Sequence, residues 1–312
     1  MVTLTEIRSL DLRDPPAPGR SRHLSAASGL VRVGAFLYVV ADDEHHLGVF
    51  DAEGAAPGRL IRLLPGELPD EHEARKAAKP DFEALAVLPR SSDLPFGALF
   101  ALGSGSKPNR QTGILLPFDA KGGLGPPQRF DLTALYTLLR EQVGKLNIEA
   151  AVMSGDRMVM LQRGNKKKAV NACISFRWAA LVEAPRDVVL TAAALDLSVD
   201  LYKLGKVNDI PLSFSDAAAL PNGDLLFAAI AEDTDDSYVD GACVGAALGV
   251  LQQGGRLLHI WPLKKPWKIE GVEARVDGSS VHLTLTTDAD DAGVAASLLQ
   301  GRIDGYPFEA DA

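Results

Sequence analysis

The chain has 312 residues and a formal net charge of −9, with 32 Lys and Arg against 41 Asp and Glu. This negative charge argues against a nucleic-acid backbone as partner, because binding that polyanion requires a basic surface. A small anionic ligand held by a local basic cluster stays compatible with it. Hydrophobic residues make up 46% of the chain and aromatic residues 6%, so Ala, Leu and Val must fill a sizeable core.

Cysteine usage and the N-terminus bear on the cellular compartment. Cys173 and Cys243 are too few for a disulfide framework and have no metal-type spacing. Residues 1–14 show no basic segment followed by an apolar run, so no signal peptide is expected. No apolar run approaches the ~20 residues of a membrane span. We therefore expect a cytoplasmic protein with reduced thiols and no membrane partner, while the oligomeric state is left open.

Short apolar runs separated by turns predict strands along most of the chain. Residues 3–12 form one predicted strand, and residues 14–22, rich in Pro and Gly, a connector. Groups of four antiparallel strands follow, each about the size of a propeller blade. The predicted strands are 29–33, 36–41, 47–50 and 60–64; then 84–88, 98–102, 114–118 and 128–132; then 150–153, 158–162, 172–177 and 187–193; then 217–220, 225–231, 246–252 and 257–262; and finally 272–276, 281–287 and 296–303.

Two segments interrupt this series. Apolar residues recur at helical spacing over 131–143, and Asp131 is suited to cap the start of a helix there. The polar stretch 67–79 is a second insertion with room for a short helix. The fifth group lacks a fourth strand, and the N-terminal strand is available to supply it, which would also hide an exposed sheet edge.

These patterns predict an all-β fold: a single five-bladed β-propeller domain over residues 1–312. The ring would be closed by pairing the N-terminal strand with the last blade, and one short helix would be inserted between blades. Two sandwich domains are the alternative, and they would leave the five-fold spacing unexplained.

An acidic residue or a serine stands at the start of the first strand in each predicted blade. Alignment of these positions gives steps of 55, 66, 66 and 55 residues, and 70 residues across the termini. The five residues are Ser28, Glu83, Glu149, Ser215 and Glu270.

The first strands of a propeller line its central channel, so these five side chains should converge at one end of it. Three carboxylates meeting there repel one another unless some are protonated or a cation lies between them. An all-oxygen set without His or Cys favours calcium over zinc. The alternative for each residue alone is a structural role, receiving backbone amides at the start of a strand.

The loops after the second strands lie at the same end, because the second strand runs antiparallel to the first. All five loops are polar: 42–46, 104–110, 163–168, 232–236 and 288–291. Two of them are basic and adjacent, and they supply the predicted contacts to a phosphate or carboxylate ligand: Lys107, Arg110, Arg163 and Lys166. The alternative is that these are ordinary solvated turns.

Three motifs resemble those of the calcium-activated nucleotidase (apyrase) family, which are five-bladed propellers with a central calcium. They are residues 28–31 followed by 36–43, Phe214-Ser215 followed by Pro221-Asn222, and residues 268–273. The pattern departs from that family at Gly29, where an acidic residue is common, and at Glu44, where an Arg is common. A looser resemblance is to the phytase-like esterase propellers of bacteria.

The resemblance implies that the five ring residues ligate calcium. One function that follows is metal-assisted hydrolysis of a small phosphorylated substrate, with Asp42 or Asp43 activating water. The alternative is a non-catalytic propeller that binds a ligand or a protein and holds a structural metal, since propellers host both kinds of function.

Overall fold

The computed structural model describes residues 2–164, 170–185, 189–233 and 241–309, and strands dominate it. The strands are β1 (Leu4–Ser9), β2 (Ala27–Val33), β3 (Phe36–Ala41), β4 (His46–Asp51), β5 (Arg59–Arg62), β6 (Phe82–Leu88), β7 (Ala98–Gly103), β8 (Thr112–Pro117), β9 (Gln128–Asp131), β10 (Ile148–Ser154), β11 (Arg157–Gln162), β12 (Asn171–Arg177), β13 (Ser198–Tyr202), β14 (Lys206–Val207), β15 (Ile210–Pro211), β16 (Ser213–Ala219), β17 (Leu225–Asp233), β18 (Ala242–Leu251), β19 (Leu257–Pro262), β20 (Ile269–Asp277), β21 (Ser280–Thr287) and β22 (Ser297–Asp304). The helices are α1 (His72–Ala78), α2 (Thr133–Val143), α3 (Trp178–Val182) and α4 (Ala192–Leu195).

Five four-stranded antiparallel sheets form the blades of a propeller, which confirms the predicted fold. Four blades take consecutive strands, β2 to β5, β6 to β9, β10 to β13 and β16 to β19. The fifth has the order β1-β22-β21-β20, with Leu4 opposite Gly301 and Ser9 opposite Ser297. The N-terminal strand therefore closes the ring as predicted. The first strands contact one another in a closed cycle, β2, β6, β10, β16, β20 and back to β2.

The hydrophobic core is divided among the five seams between neighbouring blades. Strand β3 shows why, since alternate residues of a strand point to opposite faces. Leu37 and Val39 pack in the seam with the fifth blade, whereas Tyr38 and Val40 pack in the seam with the second. Both faces of a blade are therefore buried, and this explains the continuous apolar runs in the sequence.

The two predicted insertions are confirmed as helices. Helix α2 covers most of the predicted range, and the Asp131 carboxylate accepts the backbone N–H of Thr133 at 2.9 Å. Its buried side, which includes Leu135 and Leu139, packs into the seam between the second and third blades. Helix α1 lies in the insertion before the second blade. None of the helices in the described residues is long and apolar enough to cross a membrane.

The fourth strand of the third blade differs from the prediction. The predicted strand 187–193 is wrong over its described part, 189–193, because α4 begins at Ala192 and β13 pairs with β12 only from Ser198, and residues 187 and 188 lie outside the described residues. The Thr191 hydroxyl accepts the backbone N–H of Ala194 at 3.2 Å and caps a run of alanines, which are strong helix formers. The described residues therefore contain α3 and α4 in addition to the helices in the two predicted insertions.

Glycines let the first strands approach closely around the axis. A Cβ at Gly271 would collide with Thr286 Oγ1 and lie 2.5 Å from the backbone oxygen of Ser28. A Cβ at Gly29 would lie 2.6 Å from the backbone nitrogen of Leu85. No side chain fits at residue 29, so the acidic residue common in the nucleotidase family has no space here.

Gly271→Ala should lower the free energy of unfolding by about 1–3 kcal/mol, since the added methyl group is forced against backbone of the first blade. Urea unfolding measures the change. Gly293→Ala is the control, because a Cβ there meets only the Asp291 side chain at 3.2 Å. Equal stability of the two variants would contradict the close approach.

Candidate functional site

Each of the five predicted ring residues lies at a β-bulge in the first strand of its blade. The register with the second strand shifts between Ala27 and Leu30, Phe82 and Ala84, Ile148 and Ala150, Phe214 and Asp216, and Ile269 and Gly271. The skipped residues are Ser28 with Gly29, Glu83, Glu149, Ser215 and Glu270. A bulge leaves one residue unpaired and turns its side chain, so the repeated bulge directs the five side chains away from the regular pleat.

We call this end of the propeller the channel mouth. Four of the five ring residues are almost fully buried there, and Glu83 is half-buried. A second set of polar residues stands two positions earlier, at or just before the start of each strand: Asp81, Asn147, Ser213 and Lys268. In the first blade this position is Ala26, which leaves the polar set incomplete.

Asp42, Asp81 and Glu83 form one half of the mouth. Carboxylate oxygens of these three residues lie within 4.8 Å of one another. Lys79 forms ion pairs with Asp42 and, at 3.0 Å, with Asp81. Arg110 donates to Asp81 at 2.8 Å. Within the described residues the Glu83 carboxylate makes no hydrogen bond and no ion pair.

Arg163 occupies the other half of the mouth. Its Nη1 lies 3.1 Å from Glu149 Oε2 and 3.4 Å from Glu270 Oε1, and its Nη2 lies 2.6 Å from Glu232 Oε2. Lys268 extends this group, because its Nζ contacts Glu232 at 3.5 Å and Asp288 at 2.9 Å. The Arg163 guanidinium thus reduces the repulsion between the ring carboxylates, as protonation or a metal ion would also do.

Burial of several carboxylates at one point shifts their proton affinities. Burial and the neighbouring carboxylates raise the pKa of Asp42 to about 7, although Lys79 opposes the shift. Burial also raises the pKa of Glu149 to about 7, against the effect of Arg163. Burial holds the pKa values of Glu83 and Glu270 well above their ordinary range. The pKa of Asp81 is lowered despite burial, because Lys79, Arg110 and Ser104 stabilise its charged form.

Two buried polar atoms of the ring have no hydrogen-bond partner within the described residues. They are the Oγ of Ser215 and the Oε2 of Glu270. Both residues are nearly inaccessible, at 1% and 4% exposure. Buried polar groups are normally satisfied, so these two oxygens are the ring atoms still available to a water or an ion.

A cleft of about 130 Å³ reaches the mouth beside Ala26, between the first blade, α1 and the loop after β21. Its lining includes Asp42, Lys76, Lys79 and Asp288. The small side chain of Ala26 stands where the other blades carry larger polar residues. The cleft therefore gives solvent access to the half of the mouth that contains Asp42.

The predicted loop residues have different environments. Asp43 pairs with Arg20 at 3.3 Å and with Arg75 at 3.2 Å, away from the ring. Arg110 and Arg163 are buried and bound to carboxylates, and Lys107 precedes the short 3-10 turn Pro108–Arg110. Lys166 lies outside the described residues. Contact of these four cations with a phosphate stays a prediction.

Sequence reasoning did not name Lys79, Asp81, Glu232 or Lys268 as site residues, although it expected the loop 232–236 beside the ring. For Asp81 and Lys268 a signal existed, since each is a charged residue two positions before a ring glutamate. Lys79 follows α1, so its place at the mouth depends on the path of the chain in three dimensions.

Residues 23–303 match the model of a family of unknown function, DUF6929. The chain belongs to this family. No curated protein matches the DUF6929 chain at a significant level.

Solved structures similar to the DUF6929 chain have low identity. A gluconolactonase candidate from structural genomics is 12% identical over 99% of this chain and 100% of its own, with a TM-score of 0.37. A Bombyx mori β-fructofuranosidase mutant in complex with sucrose is 11% identical over 88% of this chain and 60% of its own, with a TM-score of 0.45. A GDP-Man-dependent mannosyltransferase from Leishmania mexicana is 13% identical over 96% and 89%, with a TM-score of 0.44. At these levels the similarities carry no functional inference, and they do not single out the nucleotidases.

Glu149→Gln should flatten the pH dependence of stability. The folded protein holds the Glu149 proton more tightly than the unfolded chain, because its folded pKa of about 7 lies above the ordinary 4.5. The unfolding free energy therefore falls as the pH rises through this window, by on the order of 1–3 kcal/mol. Urea unfolding at pH 5 and pH 7.5 in chelator measures the slope. The control is Glu141→Gln on the exposed side of α2, and a Glu149→Gln slope equal to that of the parent protein would refute the assignment.

Proposed function

We propose that this protein binds a divalent cation, calcium, at the channel mouth through Asp42, Asp81 and Glu83. The observation that carries the proposal is the Glu83 carboxylate, which makes no hydrogen bond and no ion pair in the described residues although two further carboxylates lie within 4.8 Å and Lys79 is already paired with both of them. A charged carboxylate in that position is unfavourable unless a cation joins the cluster.

The charge balance of the mouth supports a cation. Among the described residues, eight carboxylates stand there against four basic side chains, with Lys76 as a fifth on the cleft that Asp288 and Asp290 also line. The carboxylates belong to Asp42, Asp81, Glu83, Glu149, Glu232, Glu270, Asp288 and Asp290, and the cations to Lys79, Arg110, Arg163 and Lys268. Protonation offsets the excess at low pH, and a divalent cation offsets it at neutral pH.

The donor set fits calcium. All three proposed ligands offer carboxylate oxygens, and calcium accepts 6–8 oxygens in flexible geometry, including water. Lys79 already contacts Asp42 and Asp81, so calcium would share these two carboxylates with an ammonium group. Glu83 is the ligand that no basic side chain neutralises by direct contact. We expect it to contribute most to affinity.

Glu83→Gln should raise the calcium dissociation constant about tenfold or more, because the ligand loses its charge. Isothermal titration at pH 7.5 measures affinity. For the parent protein, calcium at 100 times the dissociation constant should add about 2.7 kcal/mol of stability and raise Tm by several degrees.

The matched control is Glu273→Gln. Glu273 is half-buried on the same strand as Glu270 but pairs with Thr284 outside the mouth. Its loss should leave calcium affinity unchanged. An unshifted Tm of the parent protein in calcium would remove the proposal, and equal effects of the two variants would remove the role of Glu83.

A second candidate function is hydrolysis of a small phosphorylated substrate, and the cleft favours it. The cleft leads from solvent to Asp42, with basic groups, Lys76 and Lys79, on the α1 side and carboxylates on the opposite side, so a phosphoryl group would bind there only together with the cation. Its volume of about 130 Å³ is below the 300–1,000 Å³ of typical ligand pockets, so a phosphoryl group fits better than a whole nucleotide. Bound calcium would polarise the phosphoryl oxygens.

Asp42 is the residue expected to activate water in that reaction. It lines both the carboxylate cluster and the cleft, so it would hold calcium and orient the attacking water at the point where the substrate enters. Asp43, the other predicted residue, is held by Arg20 and Arg75 in ion pairs and is less suited to this role.

Asp42→Asn should lower the rate of phosphate release by about 10²-fold or more. The assay offers nucleotides, sugar phosphates and inositol phosphates in calcium, with chelator as the blank. Asp291→Asn, which changes another carboxylate of the cleft, is the control and should retain activity. If the parent protein releases phosphate from none of these substrates, the non-catalytic alternative of a binding propeller is favoured.

A further inference from the structure

A basic side chain of the protein itself lies among the ring carboxylates. Arg163 follows β11 in the third blade, yet its guanidinium contacts Glu149 of the same blade, Glu232 of the fourth and Glu270 of the fifth. The contacts span 2.6 to 3.4 Å, and Arg163 is buried at 7% exposure. It therefore joins three blades across the mouth.

The ring glutamates alone would not tolerate this arrangement. Glu149 and Glu270 approach the same guanidinium nitrogen, so without Arg163 two buried like charges would face each other. A guanidinium is planar, permanently charged and weakly hydrated, which suits a buried site between several carboxylates. Burial opposes its charge, but the carboxylates Glu149, Glu232 and Glu270 raise the pKa of Arg163 well above its ordinary value.

We propose that Arg163 is a built-in counter-cation that fills one half of the ring and confines calcium to the other. Glu149, Ser215 and Glu270 belong to the filled half, and Asp42, Asp81 and Glu83 to the open half. In this view the ring holds two positions for positive charge. The guanidinium takes one of them permanently, so Arg163 sets the number of metal ions that the mouth accepts.

Unpartnered oxygens in the filled half support a metal position there. Ser215 Oγ and Glu270 Oε2 are buried and have no hydrogen-bond partner within the described residues. Together with Glu149 they offer the oxygen ligands that calcium prefers. Removing the guanidinium should therefore expose a second calcium site, made of Glu149, Ser215 and Glu270.

Arg163→Met tests the proposal by calcium stoichiometry. Equilibrium dialysis with calcium should show one more ion bound per chain in Arg163→Met than in the parent protein. Arg163→Lys retains the positive charge and should bind the parental number. The double variant Arg163→Met/Glu270→Gln loses a ligand of the new site and should return to the parental number or bind with at least tenfold lower affinity.

This inference rests on the proposed function only for the number of calcium ions that the parent protein binds. The role of Arg163 is tested by the difference between Arg163→Met and the parent protein, so the two failures can be told apart. A parental count of zero would remove the calcium site at Asp42, Asp81 and Glu83, while a gain of one in Arg163→Met would still support the role of Arg163. An unchanged count in Arg163→Met would overturn that role whatever the parent protein binds.

A folding defect in Arg163→Met is also informative. The variant leaves the carboxylates uncompensated, so its Tm in chelator should fall by several degrees and should recover in calcium by more than the parental Tm rises. Arg163→Lys should show neither effect. Loss of folding in Arg163→Met that calcium does not restore would overturn the proposal, because calcium would then not replace the guanidinium.

Discussion

Burial of both faces of every blade is the constraint on which this structure depends. Each inner strand packs against neighbours on two sides, so its side chains must be apolar or small along most of its length. Glycine occupies the positions where a side chain would keep neighbouring strands apart, as at Gly29 against the backbone of Leu85 and at Gly271 against Ser28. The buried glutamates of the inner strands lie near the start of those strands, and the five strand starts meet at the channel mouth.

At the channel mouth the backbone geometry brings carboxylates together although their charges repel. The repeated bulge brings glutamates from three blades to one place, and carboxylates in such a position cannot all be charged without compensation. The protein compensates unevenly. Arg163 and Lys268 serve the third, fourth and fifth blades, whereas Lys79 and Arg110 bind Asp42 and Asp81 and leave Glu83 unpaired. A five-fold architecture thus carries an asymmetric electrostatic field.

Solvent reaches the site at the first blade, which differs from the other four at the position of Ala26. Ala26 interrupts the second polar set in the first blade, and α1 enters the neighbouring insertion with Lys76 and Lys79 near the gap. The cleft that results opens on the half of the mouth without a resident guanidinium. Solvent access at Asp42 and the Glu83 carboxylate without an ion pair therefore occur in the same half of the mouth.

The five blades, the closing strand and the ring positions could be predicted from the sequence, because alternating burial and a repeated acidic or Ser position are local patterns. Asp131 likewise identified the start of a helix through its own neighbours. The fourth strand of the third blade was predicted too early in the chain. The alanines there form α4, and β13 can be located only through its pairing with β12. The sequence by itself determined which residues stand where the blades begin. Only the tertiary structure decided that bulges turn them inward, that Lys79 reaches Asp42, and that Arg163 lies between Glu149 and Glu270. Those contacts join residues distant along the chain, and their energies depend on shared burial that no local pattern encodes.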